Sequence, residues 1–221
     1  MPRCLELCCG ENSSWSQAAK ELGYETTRVD CDEKVCPDIW CDVRDLEVPE
    51  GFYDVICASP DCRDFRKTGD VLKACVRLCK KAKCLGVLES SRERKDLQAT
   101  KVDYCMYSGS GDKQLYDWFP SRKRTNIYTW SFGPTLNWLP SRPLCSRVDH
   151  CDWLIDKKCG VQHSTKYECH LHCLPRFLST AQEHSIPRRL CLEILAGAAG
   201  REGIRSNLEG NMGSHAGLHR V

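Results

Sequence analysis

From residue 4 to residue 89 the chain alternates short apolar runs with stretches of helical spacing, and this limits its fold more than any other feature. Cys4 to Cys9 is an apolar run ending at Gly10, as a buried strand would. Asn12, Ser13 and Ser14 then offer N-cap oxygens. Trp15, Ala18, Ala19 and Leu22 recur at i, i+3, i+4, i+7, one face of a helix, and Gly23 supplies a left-handed stop. Tyr24 to Val29, Ile39 to Val43, Tyr53 to Ala58 and Cys84 to Leu88 read as further strands. Val71, Leu72, Cys75, Leu78, Cys79 and Ala82 make a second helical face, with Lys73, Arg77, Lys80, Lys81 and Lys83 outside it. Alternation of this kind predicts an α/β fold, a mainly parallel sheet with helices on both faces. In such sheets ligands sit at the carboxyl ends of the strands.

Composition matters at one point. Eighteen cysteines in 221 residues is a density that suggests a small disulfide-stapled secreted domain. The first residues, Met-Pro-Arg-Cys-Leu-Glu-Leu-Cys-Cys-Gly, lack the apolar stretch of a signal peptide, and no apolar run reaches bilayer-spanning length. The expectation is an intracellular protein without membrane association, its cysteines mostly reduced and packed as small apolar residues.

The strand ends carry the chemistry. The first opens through Cys8, Cys9 and Gly10 into a helix, where a glycine allows a ligand close to the backbone. No Gly-x-Gly-x-x-Gly or Gly-Lys-Ser/Thr is present, so phosphate cradling is not indicated. The second ends in Asp30-Cys31, where a carboxylate typically grips ribose hydroxyls. The third ends in Asp42-Val43, where an adenine amine could be read. A lone strand-end Asp is more often a cap than a contact; the ordered succession favours a nucleoside-type cofactor. The fourth ends in Ser59-Pro60-Asp61-Cys62, with Arg63, Arg66 and Lys67 following to favour thiolate, and the fifth ends at Glu89. A nucleophile beside an acid is a workable catalytic pair.

Taken in order, Glu-Leu-Cys-Cys-Gly, Asp30, Asp42, Ala-Ser-Pro-Asp-Cys and Leu-Glu-Ser resemble the DNA (cytosine-5) methyltransferases, most closely the compact phage- and virus-encoded members. Arg122-Lys123-Arg124-Thr125-Asn126-Ile127-Tyr128 is similar to the family's basic strand after the catalytic acid. Val102 to Tyr107, Ile186-Pro187 and Leu190 to Leu195 resemble further segments of the compact members. The resemblance implies a Rossmann-like, S-adenosylmethionine-dependent methyltransferase fold with a small, irregular target-recognition region. It implies a methyltransferase domain over 1–135, a Cys/His-rich recognition region over 136–185 and a returning helix over 186–196; the Gly, Ala, Ser and Asn of 197–221 read as a mobile or weakly helical tail. If virus-encoded, the protein would act in the host cytoplasm or nucleus.

By this resemblance S-adenosylmethionine is the cofactor. Cys8, Cys9 and Gly10 would face its methionine end, Asp30 with Cys31 its ribose, Asp42 with Val43 its adenine, and Ser59 and Pro60 would border it. Cys62 would attack carbon 6 of cytosine, Glu89 would hold the ring at N3, and Arg124 would organise the base and the nucleophile loop. Carbon 5 of cytosine is too weak a nucleophile alone; thiolate addition at carbon 6 makes it carbanion-like. A stacked base is out of reach, so it must be flipped from double-stranded DNA. Arg63, Arg66, Lys67, Arg122 and Lys123 would grip phosphates. The charge pattern agrees: residues 1–62 carry 5 basic and 14 acidic side chains, and residues 63–101 carry 12 and 5. The chain departs from the family at Asp61 (usually Pro), Ser90 (usually Asn) and Asn126 (usually Arg). Two alternatives therefore stand: a catalytically impaired DNA-binding relative, and a methyltransferase acting on RNA.

The second part holds Cys145, Cys151, Cys159 and His163, a candidate tetrahedral zinc set, with Cys169 and Cys173 as alternatives. No tight Cys-x-x-Cys pair is present, and chance clustering in a cysteine-rich chain is the plainer reading.

Overall fold

The structure is a computed structural model that describes residues 1–60, 65–91, 93, 97–107, 124–130, 140–142, 144 and 185–198, excepting the side chains of 65–69 and 105. The described residues form one sheet of β1 (Arg3–Leu7), β2 (Glu25–Asp30), β3 (Ile39–Trp40), β4 (Val55–Ala58), β5 (Leu85–Ser90), β6 (Thr100–Asp103) and β7 (Arg124–Trp130). Its order is β3-β2-β1-β4-β5-β7-β6. Neighbours among β1 to β5 pair in parallel, while β7 runs antiparallel to both β5 and β6. The run 3-2-1-4-5 is that of the doubly wound dinucleotide-binding sheet, whose order reverses beside β1 and opens a crevice there. The fold class is the expected one, α/β and Rossmann-like, with an antiparallel strand slotted between the fifth strand and the last.

Two packed layers flank the sheet because side chains alternate along each strand. Cys4, Val55, Cys57, Val87, Val102 and Ile127 face α1 (Ser14–Glu21) and α3 (Arg188–Ala198), burying Trp15, Ala18, Ala19, Leu190, Ile194 and Leu195. Leu5, Leu7, Val29, Ile56, Ala58, Leu88 and Tyr128 face α2 (Phe65–Ala82), burying Leu72, Cys75, Leu78 and Cys79. Gly86 pairs with Trp130, and a Cβ there would lie 2.3 Å from the indole, so β5 needs glycine where β7 lays its tryptophan across it. Among the described residues the cysteines are free thiols, and no helix is long and apolar enough to cross a membrane.

Several boundaries differ from the sequence expectation, each for a local reason. β1 stops at Leu7 rather than Cys9 because Cys8 turns into the left-handed region, at φ 56°. The expected third strand, Ile39 to Val43, is only Ile39–Trp40. Asp42 Oδ1 accepts from the backbone N–H of Arg44 at 2.9 Å, an Asx turn that ends the ladder. β5 runs on through Glu89 and Ser90 because β7 pairs with both. The hydroxyls expected to cap α1 do not: Ser13 stands at the N-cap position without a side-chain cap bond. Glu6, on β1, does the work. Its Oε1 accepts from Trp15 N at 3.2 Å and its Oε2 from Ser16 N at 2.9 Å.

The charge separation along the sequence also changes in space. Glu47 pairs with Lys81, Glu50 with Lys83 at 2.7 Å, and Arg77 donates to the carbonyl of Arg44 at 2.9 Å. Acidic residues before β4 thus lie along the basic face of α2 and neutralise part of it.

Candidate functional site at the carboxyl edge of the sheet

The crevice begins where β1 gives way to α1. Within six residues Cys8, Gly10 and Ser13 adopt positive φ, of 56°, 56° and 43°. Only the glycine does so without a Cβ penalty. The tight loop turns the Gly10 N–H toward β2, where it donates to Asp30 Oδ2 at 3.0 Å. Among the described residues other than its chain neighbours, no atom lies within 4 Å of where a Gly10 Cβ would be, so space is open in front of this backbone.

Asp30 closes β2 and ties the two loops of the rim together. Its Oδ1 accepts from Asp32 N at 3.0 Å, while Oδ2 holds Gly10. Each oxygen keeps a second lone pair, so the carboxylate can still accept two hydroxyls. Open space at Gly10 and a half-buried carboxylate beside it fit a ribose-bearing cofactor. Cys31 is exposed next to it, and its carbonyl accepts from Trp40 Nε1 at 3.0 Å. That bond holds a 65 %-exposed indole at the end of β3, a feature sequence reasoning missed. Asp42 is half-buried and bound to the Arg44 guanidinium, which holds its pKa below the usual carboxylate value. Val43 is buried among the residues packed on α2. Ser59 follows β4, and its hydroxyl accepts from Trp15 Nε1 at 2.9 Å; Pro60 beside it is buried. Apart from Val43, which is buried in the core, the expected cofactor residues thus lie at or just after the ends of β1, β2, β3 and β4.

The ring of thiols here is protonated. Cys8 lies against Cys75, whose thiol together with burial drives its pKa well above the usual value. Burial, then Glu6 and Asp30, pushes Cys9 up to about 12. Burial raises Cys31 as well. None of these three is poised as a nucleophile.

Glu89 sits on β5 at the same edge, 8 % exposed. Its Oε1 accepts from the Tyr104 hydroxyl at 2.9 Å and also from Thr125 Oγ1. Both partners are fully buried. Tyr104 opens the short turn after β6, and Thr125 is the second residue of β7. Sequence reasoning missed both. The available signal was alternation: Thr125 and Ile127 share a strand face, and Ile127 registers with Glu89.

Arg124, at the start of β7, forms a two-pronged pair with Asp103 on β6, both contacts 2.9 Å. By strand alternation it leaves the face that carries Thr125 and Glu89. Asn126 and Ser90, two of the departures from the family pattern, are register partners, and Asn126 Nδ2 donates to the Ser90 carbonyl at 3.1 Å. Cys62, Arg63, Arg122, Lys123 and the zinc candidates Cys145, Cys151, Cys159 and His163 lie outside the described residues, as do the side chains of Arg66 and Lys67. Among the described residues no three His, Cys, Asp or Glu side chains converge as metal ligands.

No protein-family model matches the chain, and no curated protein does. Among solved structures it is similar to an S-adenosylmethionine dependent methyltransferase from Mesorhizobium loti, at 21% sequence identity and a TM-score of 0.32. That likeness covers 40% of this chain and 45% of that one, so the chain spans less than half of that structure's length.

Proposed function

We propose that this chain transfers a methyl group from S-adenosylmethionine to carbon 5 of cytosine in double-stranded DNA. One observation carries the reading. A single sheet edge sets the open loop at Gly10 and the ribose-type carboxylate Asp30 on β1 and β2, and a buried carboxyl, Glu89, two strands along on β5. Between them β4 ends at Ala58, Ser59-Pro60 follows it, and Cys62 lies two residues farther along the chain.

In this reading Asp30 and the Gly10 loop bind and orient the cofactor, which supplies an electrophilic methyl. Cys62 adds to carbon 6 of a flipped cytosine while Glu89 satisfies N3. Arg122 and Lys123 hold phosphates, and Arg124, braced by Asp103, steadies the segment that joins them to the sheet.

The decisive experiment is methyl transfer from labelled S-adenosylmethionine to unmethylated duplex DNA and to tRNA. Incorporation into cytosine of the duplex, abolished by Cys62→Ser, is the expected result. Well-folded protein that methylates neither, and traps no DNA containing 5-fluorocytosine, would sink the proposal in favour of a DNA-binding relative. Incorporation into tRNA alone would move the substrate to RNA. Independently, Asp30→Ala should weaken calorimetric binding of S-adenosylhomocysteine about 10- to 100-fold, since hydrogen bonds to a charged group contribute roughly 1.5–3 kcal/mol.

A further inference from the structure

We propose that Tyr104 and Thr125 are positioning residues that decide which oxygen of Glu89 meets the substrate and carries the proton. The inference rests on the reading of Glu89 as the acid of the proposed reaction, and it concerns how that acid is held.

Both hydroxyls donate to the same oxygen, Oε1. They come from different elements, the turn after β6 and the strand β7, and both are fully buried. The sheet itself therefore sets their positions. Two donors fill the two lone-pair directions of Oε1. Among the described residues no hydrogen bond reaches Oε2. In the neutral carboxyl a hydrogen on Oε1 would displace one of the donors, so the proton belongs on Oε2 and Oε1 is the carbonyl oxygen.

The consequence for the reaction is a defined proton donor. The Cys62 thiolate forms the carbon 6–sulfur bond. The carbon 5–carbon 6 π pair moves to make carbon 4–carbon 5 double, and the carbon 4–N3 π pair moves onto N3. The Oε2 proton passes to N3, which leaves the base neutral and Glu89 as carboxylate. That new charge falls on a carboxylate whose other oxygen already holds two fixed donors, so no group must reorganise. Tyr104 is not the acid: burial, then the Glu89 charge, holds its phenol well above the usual value, and it remains a donor.

The test uses Tyr104→Phe, Thr125→Val and the conservative Thr125→Ser in the full chain. The first readout is the infrared carbonyl stretch of Glu89, recorded at a pH acidic enough to protonate it and assigned by its loss in Glu89→Gln. It should move to higher frequency in Tyr104→Phe and in Thr125→Val, and return in Thr125→Ser. The second is steady-state methylation, where each of the first two variants should lose roughly tenfold or more in kcat with KM for DNA unchanged, as for a misaligned acid. An unmoved stretch in folded variants overturns the proposal, as does an equal fall in activity through KM alone. Should Tyr104→Phe fail to fold, Thr125→Val against Thr125→Ser carries the same comparison. If the stretch moves but the wild-type chain methylates no nucleic acid, the clamp on Glu89 stands and the proposed function fails.

Discussion

Glu6 shows what one buried carboxyl can do in this fold. It is 2 % exposed, and burial outweighs its hydrogen bonds to raise its pKa from 4.5 to about 7. The folded chain then holds a proton that the unfolded chain releases between pH 4.5 and 7. Stability from this group is complete below pH 4.5 and is lost as pH rises through 7, by about 3 kcal/mol at 1.36 kcal/mol per unit. Denaturant titrations at pH 4.5 to 8 should show that slope in the wild type and a flatter one in Glu6→Gln. The variant should also be less stable at low pH, because one amide of α1 loses its acceptor. Sequence reading placed Asp30 at the close of a strand, since a carboxylate ending such a run is a local pattern. It did not find Glu6 as a cap, because the cap and the helix lie 9 and 10 residues apart and meet only through the β1–α1 turn.

At the scale of elements, α3 closes the fold on α1. The contact has an apolar part, with Leu190 and Ile194 fully buried against Trp15, Ala18 and Ala19, and a polar rim. In the rim Ile186 N donates to Ser14 Oγ at 3.1 Å, and Arg188 pairs with Glu21. The apolar part should dominate. Leu190→Ala should cost roughly 2–5 kcal/mol in urea unfolding, and Arg188→Ala less than about 1 kcal/mol, since its ion pair is largely solvated. Strands and helices through residue 90 were legible because periodicity is local: Trp15, Ala18 and Ala19 mark their face, and Gly23 its end. The place of β7 was not. Nothing within Arg124–Trp130 states that it slides between β5 and β6, and that pairing is what draws Glu89 inside the strand and sets Thr125 beside it.

Over the whole molecule, charge must be read by position rather than by segment. Lys81 lies in the last turn of α2 and Lys83 just after it, next to the start of β5 and therefore at the sheet edge opposite the crevice. Both are already paired with acids. On the proposed function, Lys81→Ala with Lys83→Ala should leave the salt dependence of DNA binding unchanged. Arg122→Ala and Lys123→Ala should each lower the slope of log affinity against log salt by about 0.9, measured by fluorescence anisotropy on a duplex. The segment counts could not show this, because the pairing joins residues 33 to 34 positions apart. The contact of α3 with α1 has a further consequence, in time. The residues that cover Trp15 leave the ribosome more than 170 positions after it. At about 5–20 residues per second, the α1 face of the sheet waits roughly 9–35 s for its cover. During synthesis this half of the core is the exposed one, while most of the α2 half can pack once β5 emerges, Tyr128 joining it with β7. A chaperone bound to nascent chains stalled between residues 90 and 185 should therefore be found on the Trp15 face.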